Sequence, residues 1–166
     1  MTHTGLVLDR PYFRLSFRGA RKNPEDGLRR LPDGSFVDVR DGSRWERRKL
    51  YDFGSGNESG FMRLTALAWE DLWELILRSN LKDNRYGTAA VLEQQYPGQL
   101  LSALTRLLAD SRATWDPQIK EALQILDLEV PVNRCEVIGK SPLEVQDEYE
   151  RWKWVSDRVR RILASP

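Results

Sequence analysis

The side chains that most often run reactions near neutral pH are scarce in this sequence. One histidine, His3, and one cysteine, Cys135, are all that 166 residues contain. A Cys–His nucleophile and base would require the N-terminus, expected to fray, to fold back across the domain. Cys135 therefore reads as a small buried hydrophobe. Zinc sites draw most of their ligands from Cys and His, so no metal site is expected. Neither a phosphate-cradling loop nor a dinucleotide fingerprint occurs, so no cofactor and no catalytic residue is expected either. Carboxylates remain. Glu70 and Glu74 stand four apart, a spacing that could hold a hard cation or share a proton. Their helix face, opposite Trp69 and Trp73, reads as solvated, and Glu74 can pair with Arg78. Asp38 with Asp41 is the other acid/base pair that a hydrolase would need.

Contact chemistry is richer. Arg40, Arg44, Trp45, Arg47 and Arg48 form the candidate nucleic-acid set, because arginine clamps phosphates and an aromatic ring can stack on a base. From Arg18 to Leu50, ten basic residues stand against six acidic ones, yet the whole chain carries only +1. That balance argues against strong nonspecific binding of polyanions. The second candidate surface lies near the C-terminus. Trp154 is two residues from Trp152, which places it roughly 200° round a helix from an apolar stripe. Flanked by Arg151 and Arg158, Trp154 is either packed under the N-terminal sheet or an exposed anchor of the kind that dominates protein interfaces.

The elements that must position these residues change character along the chain. The first third is strand and turn. Leu6–Leu8 and Tyr12–Phe17 favour β structure, Pro11 marks an edge or break, and Asp41-Gly42 reads as the turn of a hairpin running from Phe36 to Phe53. Residues 54–60 read as a flexible joint. Beyond it the period becomes helical. Met62, Ala66, Trp69, Leu72, Trp73 and Ile76 fall on one stripe. Further helices are expected from Asp83 to Tyr96, from Pro97, and from the Asp116-Pro117 cap, each proline suiting a first helical position. Leu128–Val137 is β-branched and suggests a strand. Ser141-Pro142-Leu143-Glu144 is a capping box that opens a last helix reaching Ala164, with Val145, Tyr149, Trp152, Val155, Val159, Ile162 and Leu163 on its apolar stripe.

Two stretches show partial resemblances. Pro32-Asp33 followed by Glu46-Arg47-Arg48-Lys49 resembles the PD-(D/E)xK nuclease signature, which implies a metal held by the acids and a lysine assisting water. The departure is specific: this chain has two residues between Glu46 and Lys49 where the family has one, which puts them on opposite faces of a strand. Asn84-Arg85-Tyr86-Gly87-Thr88-Ala89-Ala90-Val91-Leu92-Glu93, with Tyr96-Pro97, is similar to helical hairpins of small bacterial proteins, some of immunity or accessory type. That similarity carries no functional residue. It implies that Gly87 and Ala89-Ala90 permit close approach of helices.

These observations predict an α+β fold: a small N-terminal antiparallel sheet packed against four to five C-terminal helices. One domain over 1–166 is expected, β-rich and Arg-rich over 1–55 and helical over 61–166. With one cysteine, no disulfide can form, and a reducing, cytoplasmic compartment is expected. No apolar run reaches the ~18 residues of a membrane span, so no membrane partner is expected. The expected role is a non-enzymatic protein-interaction module of bacterial accessory or immunity type, with an unidentified protein partner and homodimerisation open. The alternatives are a nucleic-acid binder and a carboxylate-based, metal-dependent hydrolase or nuclease.

Overall fold

The structure, a computed structural model, describes residues 5–16, 18–19, 22–52, 56–110 and 115–165. It is an α+β fold of five antiparallel strands followed by five helices. Two compact units divide it, Met1–Val91 and Leu92–Pro166.

The first unit holds the sheet. Strands β1 (Phe13–Arg14), β2 (Leu28–Arg30), β3 (Phe36–Asp38), β4 (Arg44–Asp52) and β5 (Asn57–Arg63) are ordered β1-β5-β4-β3-β2. The Asp41-Gly42 turn joins β3 to β4 as its chemistry predicts, and Gly42 has φ +71°. Part of the expected joint is sheet, since residues 57–60 belong to β5 and residues 54–55 lie outside the described residues. Gly60 is there for closeness: a Cβ at this position would stand 2.7 Å from both Leu15 and Leu50. Met62 pairs with Phe13 and Glu46 in the sheet, so it is not on a helical stripe. The Leu6–Leu8 run forms no strand, and Phe17 lies outside the described residues.

Helix α1 (Trp69–Arg78) buries Leu72, Leu75 and Ile76. In the first turn of helix α2 (Lys82–Gln95), Asp83, Asn84 and Arg85 are polar yet almost wholly buried. Asn84 Oδ1 accepts from the Tyr12 amide at 2.8 Å, and its Nδ2 donates to the Arg10 carbonyl at 2.9 Å and to Ser79 Oγ at 3.1 Å. Asp83 accepts from the Leu15 amide at 3.2 Å. The first turn of α2 thus occupies the outer edge of β1, where a further strand would otherwise supply partners. Gly87 sits one turn on. A Cβ there would come within 2.2 Å of the Phe13 ring, so the close approach it permits is to a strand residue, not to the helix that its sequence context implied.

The second unit is helical. Helices α3 (Pro97–Ala109) and α4 (Pro117–Ile125) pack against α5 (Pro142–Ala164). Asp116 caps α4 by accepting from the Ile119 amide at 2.8 Å. Ser141 and Glu144 form the predicted capping box on α5, their side chains accepting from each other's amides at 3.3 and 2.8 Å. Trp152, Val155, Val159 and Ile162 are the buried stripe of α5. Leu128–Val137 contains no strand and runs as turns, bends and irregular chain towards the start of α5. No helix among the described residues is long and apolar enough to cross a membrane.

Candidate interaction surface

Five arginines of the first unit, Arg14, Arg40, Arg44, Arg48 and Arg63, are engaged by carboxylates of the sheet region. Asp38 sits at the centre, with its side chain only 5 % exposed. It accepts from Arg14 Nη2, from Arg40 Nε at 3.0 Å, from Arg40 Nη2 at 3.2 Å and from the Arg40 amide at 2.9 Å. The Arg40 guanidinium, joined by its amide and by Arg14, holds the Asp38 carboxyl far below the usual carboxylate range, against the opposing effect of burial. A carboxylate that accepts four hydrogen bonds and is held this firmly ionised is a weak base near neutral pH. Asp41, the partner proposed for it, accepts from Ser43 Oγ at 2.5 Å and from Arg63 at 2.8 Å, and the Ser43 contacts lower its pKa.

Most of the nucleic-acid candidates fare similarly. Arg44 donates to Asp33 at 2.5 Å and to Ser35 Oγ at 2.7 Å. Arg48 donates to Glu46 at 2.5 Å, and Arg47 is exposed. Trp45 is 1 % exposed, with the Arg14 guanidinium 4.3 Å from its ring centre, so it presents no face to a base. Arg14, one of the arginines interleaved with aromatics in this part of the chain, is the cation at the middle of this cluster. The nuclease-like residues do not converge either. Asp33 is bound in the β2–β3 turn, and the unbroken ladder from Trp45 to Lys49 leaves Glu46 and Lys49 on opposite faces of β4. Glu70 is exposed and Glu74 pairs with Arg78 at 3.2 Å, the solvated face that the spacing suggested. Cys135 is buried, and His3 lies outside the described residues.

The second unit presents a different surface. Trp154 is 42 % exposed, while Trp152 is 2 % exposed. The two tryptophans thus divide the helix between core and water, and Trp154 is not packed away. Arg151 and Arg158 flank it half-buried, with Arg158 Nε donating to the Leu108 carbonyl at 3.3 Å. Tyr149, expected on the apolar stripe, is 37 % exposed.

Leu143 on α5 and Ile138 in the preceding segment are more than four-fifths exposed, and Val130, Val132 and Val137 more than half. That segment is tied along α5. Ser156 Oγ donates to the Glu129 carbonyl at 2.8 Å, and the Arg134 guanidinium lies 5.5 Å from the Trp152 ring centre. Lys140 Nζ donates to Glu148 at 2.5 Å. A solvent-facing hollow of about 380 Å³ on the N-terminal half of the helix is lined by Leu143, Glu144, Asp147, Glu148, Lys140 and Arg151.

The exposed valines and Ile138 escaped the sequence reading because a β-branched run normally marks a strand. The signal against that reading was Pro131, which removes a ladder donor from its middle. No family model, curated protein or solved structure matches this chain.

Proposed function

We propose that this chain is a non-enzymatic protein-interaction module, of accessory type, that binds through the outer face of α5 and the segment before it. The observation that carries the reading is where its exposed apolar groups lie. Of ten large hydrophobic residues exposed among the described residues, seven fall between Val130 and Trp154. Apolar side chains scattered singly over a surface need no explanation, but their concentration in one segment, four before α5 and three on it, favours a contact surface. Trp154 beside arginines is the chemistry that interfaces favour for their anchors. The saturation of Asp38 by two arginines, and the separation of Glu46 from Lys49, favour contact over turnover.

A benzophenone amino acid in place of Lys153, exposed next to Trp154, tests this by photo-crosslinking in the native host. A discrete protein adduct is expected. It should be lost when Trp154→Ala is added, and should not form from a probe at Arg29 on the sheet. An adduct that nuclease treatment removes would favour the nucleic-acid reading, and no adduct at position 153 would sink the module.

A further inference from the structure

Helix α5 is electrically split. From Pro142 to Glu150 it carries Glu144, Asp147, Glu148 and Glu150 and no base. From Arg151 to Ala164 it carries Arg151, Lys153, Arg158, Arg160 and Arg161 against Asp157 alone. The change of sign falls beside Trp154, and the arrangement about that residue is ordered. Three residues before it is Arg151 and three after is Asp157; four before is Glu150 and four after is Arg158. Six before is Glu148 and six after is Arg160; seven before is Asp147 and seven after is Arg161. Every charged residue that has a charged counterpart at the same distance from Trp154 faces the opposite sign.

Steps of three, four and seven keep a residue on the same side of a helix. Asp147, Glu150, Trp154, Arg158 and Arg161 therefore form one seam along the outside of α5, opposite the buried Trp152, Val155 and Val159. Asp147, Glu150, Trp154 and Arg161 are exposed and Arg158 is half-buried.

We propose that the partner of this seam is a second copy of the chain, with two α5 helices packed antiparallel and Trp154 on the two-fold axis. This deepens the interaction-module reading and rests on it. A two-fold axis brings residues at equal distances before and after Trp154 together across the interface. Glu150 of each copy then meets Arg158 of the other, Asp147 meets Arg161, and Arg151 meets Asp157. The two tryptophans meet at the centre, in reach of an offset or edge-on ring contact. The hollow at the acidic end, lined by Glu144, Asp147 and Glu148, receives the Arg161 end of the other helix. A parallel arrangement would set acid against acid and base against base, so the charge pattern also fixes the direction. One helix seam is a small interface, so a dissociation constant on the order of 10 μM is expected.

Sedimentation equilibrium of the whole chain from 1 to 300 μM tests the proposal. A monomer–dimer equilibrium is expected, weakening as salt rises because the seam charges are partly solvated. Trp154→Ala should weaken it by about thirtyfold or more. Glu150→Arg should abolish it, since each copy then sets a new arginine against Arg158. Glu150→Arg combined with Arg158→Glu restores opposite signs and should restore the dimer. Circular dichroism of each variant checks that α5 is retained; should Glu150→Arg lose helix, Asp147→Arg with Arg161→Glu makes the same test one turn out. A chain monomeric at 300 μM in low salt overturns the dimer, as does a charge swap that fails to rescue with α5 intact. If the Lys153 crosslink then joins a different protein, the module reading survives without the dimer; if it joins nothing, both fall.

Discussion

Asp38→Ala should be among the most damaging single changes available in the first unit. The substitution removes an acceptor that takes hydrogen bonds from two guanidinium groups and one amide. It leaves Arg14, 3 % exposed, as a buried cation against the Trp45 ring at 4.3 Å. Arg40, half exposed, can turn to water or to Asp26, 3.7 Å away, so its loss is minor. Arg14 keeps its bond to the Asp26 carbonyl at 3.1 Å and its cation–π contact, but loses its buried carboxylate. Removing one partner of a buried pair costs about 3–5 kcal/mol, largely through the charge left behind. Removing both charges should be far milder: Arg14→Met with Asp38→Leu should recover most of the loss. Urea unfolding followed by tryptophan fluorescence and far-ultraviolet circular dichroism measures all three variants. The pH dependence carries the same signature. The folded Asp38 carboxyl lies far below its unfolded value of about 4, so its contribution is complete above that value and fades as pH falls through the folded pKa. A cost under about 1 kcal/mol for Asp38→Ala, or a double variant no more stable than the single one, would show that no buried charge is left uncompensated.

Asn84→Ala should cost about 2–3 kcal/mol, because the buried Tyr12 amide loses its acceptor and two carbonyls of the N-terminal segment lose a donor; the same urea titration reads it. Gly87→Ala should destabilise by at least about 2 kcal/mol through overpacking against Phe13, whereas Gly98→Ala on α3, with nothing within 4 Å, should be neutral or stabilising. Comparing the two by thermal melting separates packing from helix propensity. Ser141→Ala should remove about 1 kcal/mol by uncapping α5, and equal melting temperatures would show that the cap contributes nothing.

The helices were readable where local chemistry marks their ends. Pro97, Asp116-Pro117 and Ser141-Pro142 each announce a start, because a first-turn proline suits the helix and, at the last two, a side-chain oxygen caps it. Strand β5 was hidden for the opposite reason. Its glycine and serine residues resemble a linker, and what makes Gly60 a strand residue is the proximity of Leu15 and Leu50, far away in sequence. Met62, Ala66 and Trp69 then mimicked a helical period across a strand end and a turn. The arginine cluster misled likewise: composition shows its excess charge, but only the fold brings Asp26, Asp33, Asp38 and Asp41 against Arg14, Arg40, Arg44 and Arg63. Trp154 could be set off the apolar stripe from its spacing alone, while its exposure depended on what the rest of the chain left uncovered.

The docking of α2 against β1 has a consequence for synthesis. Tyr12 and Leu15 find their backbone acceptors on Asn84 and Asp83, about seventy residues downstream. During translation that end of the sheet must stay open until the start of α2 has left the ribosome, whereas the β4–β5 hairpin needs only neighbours already made. The nascent chain should therefore resist protease first in its middle, with the segment around Tyr12 still cleavable until α2 has emerged.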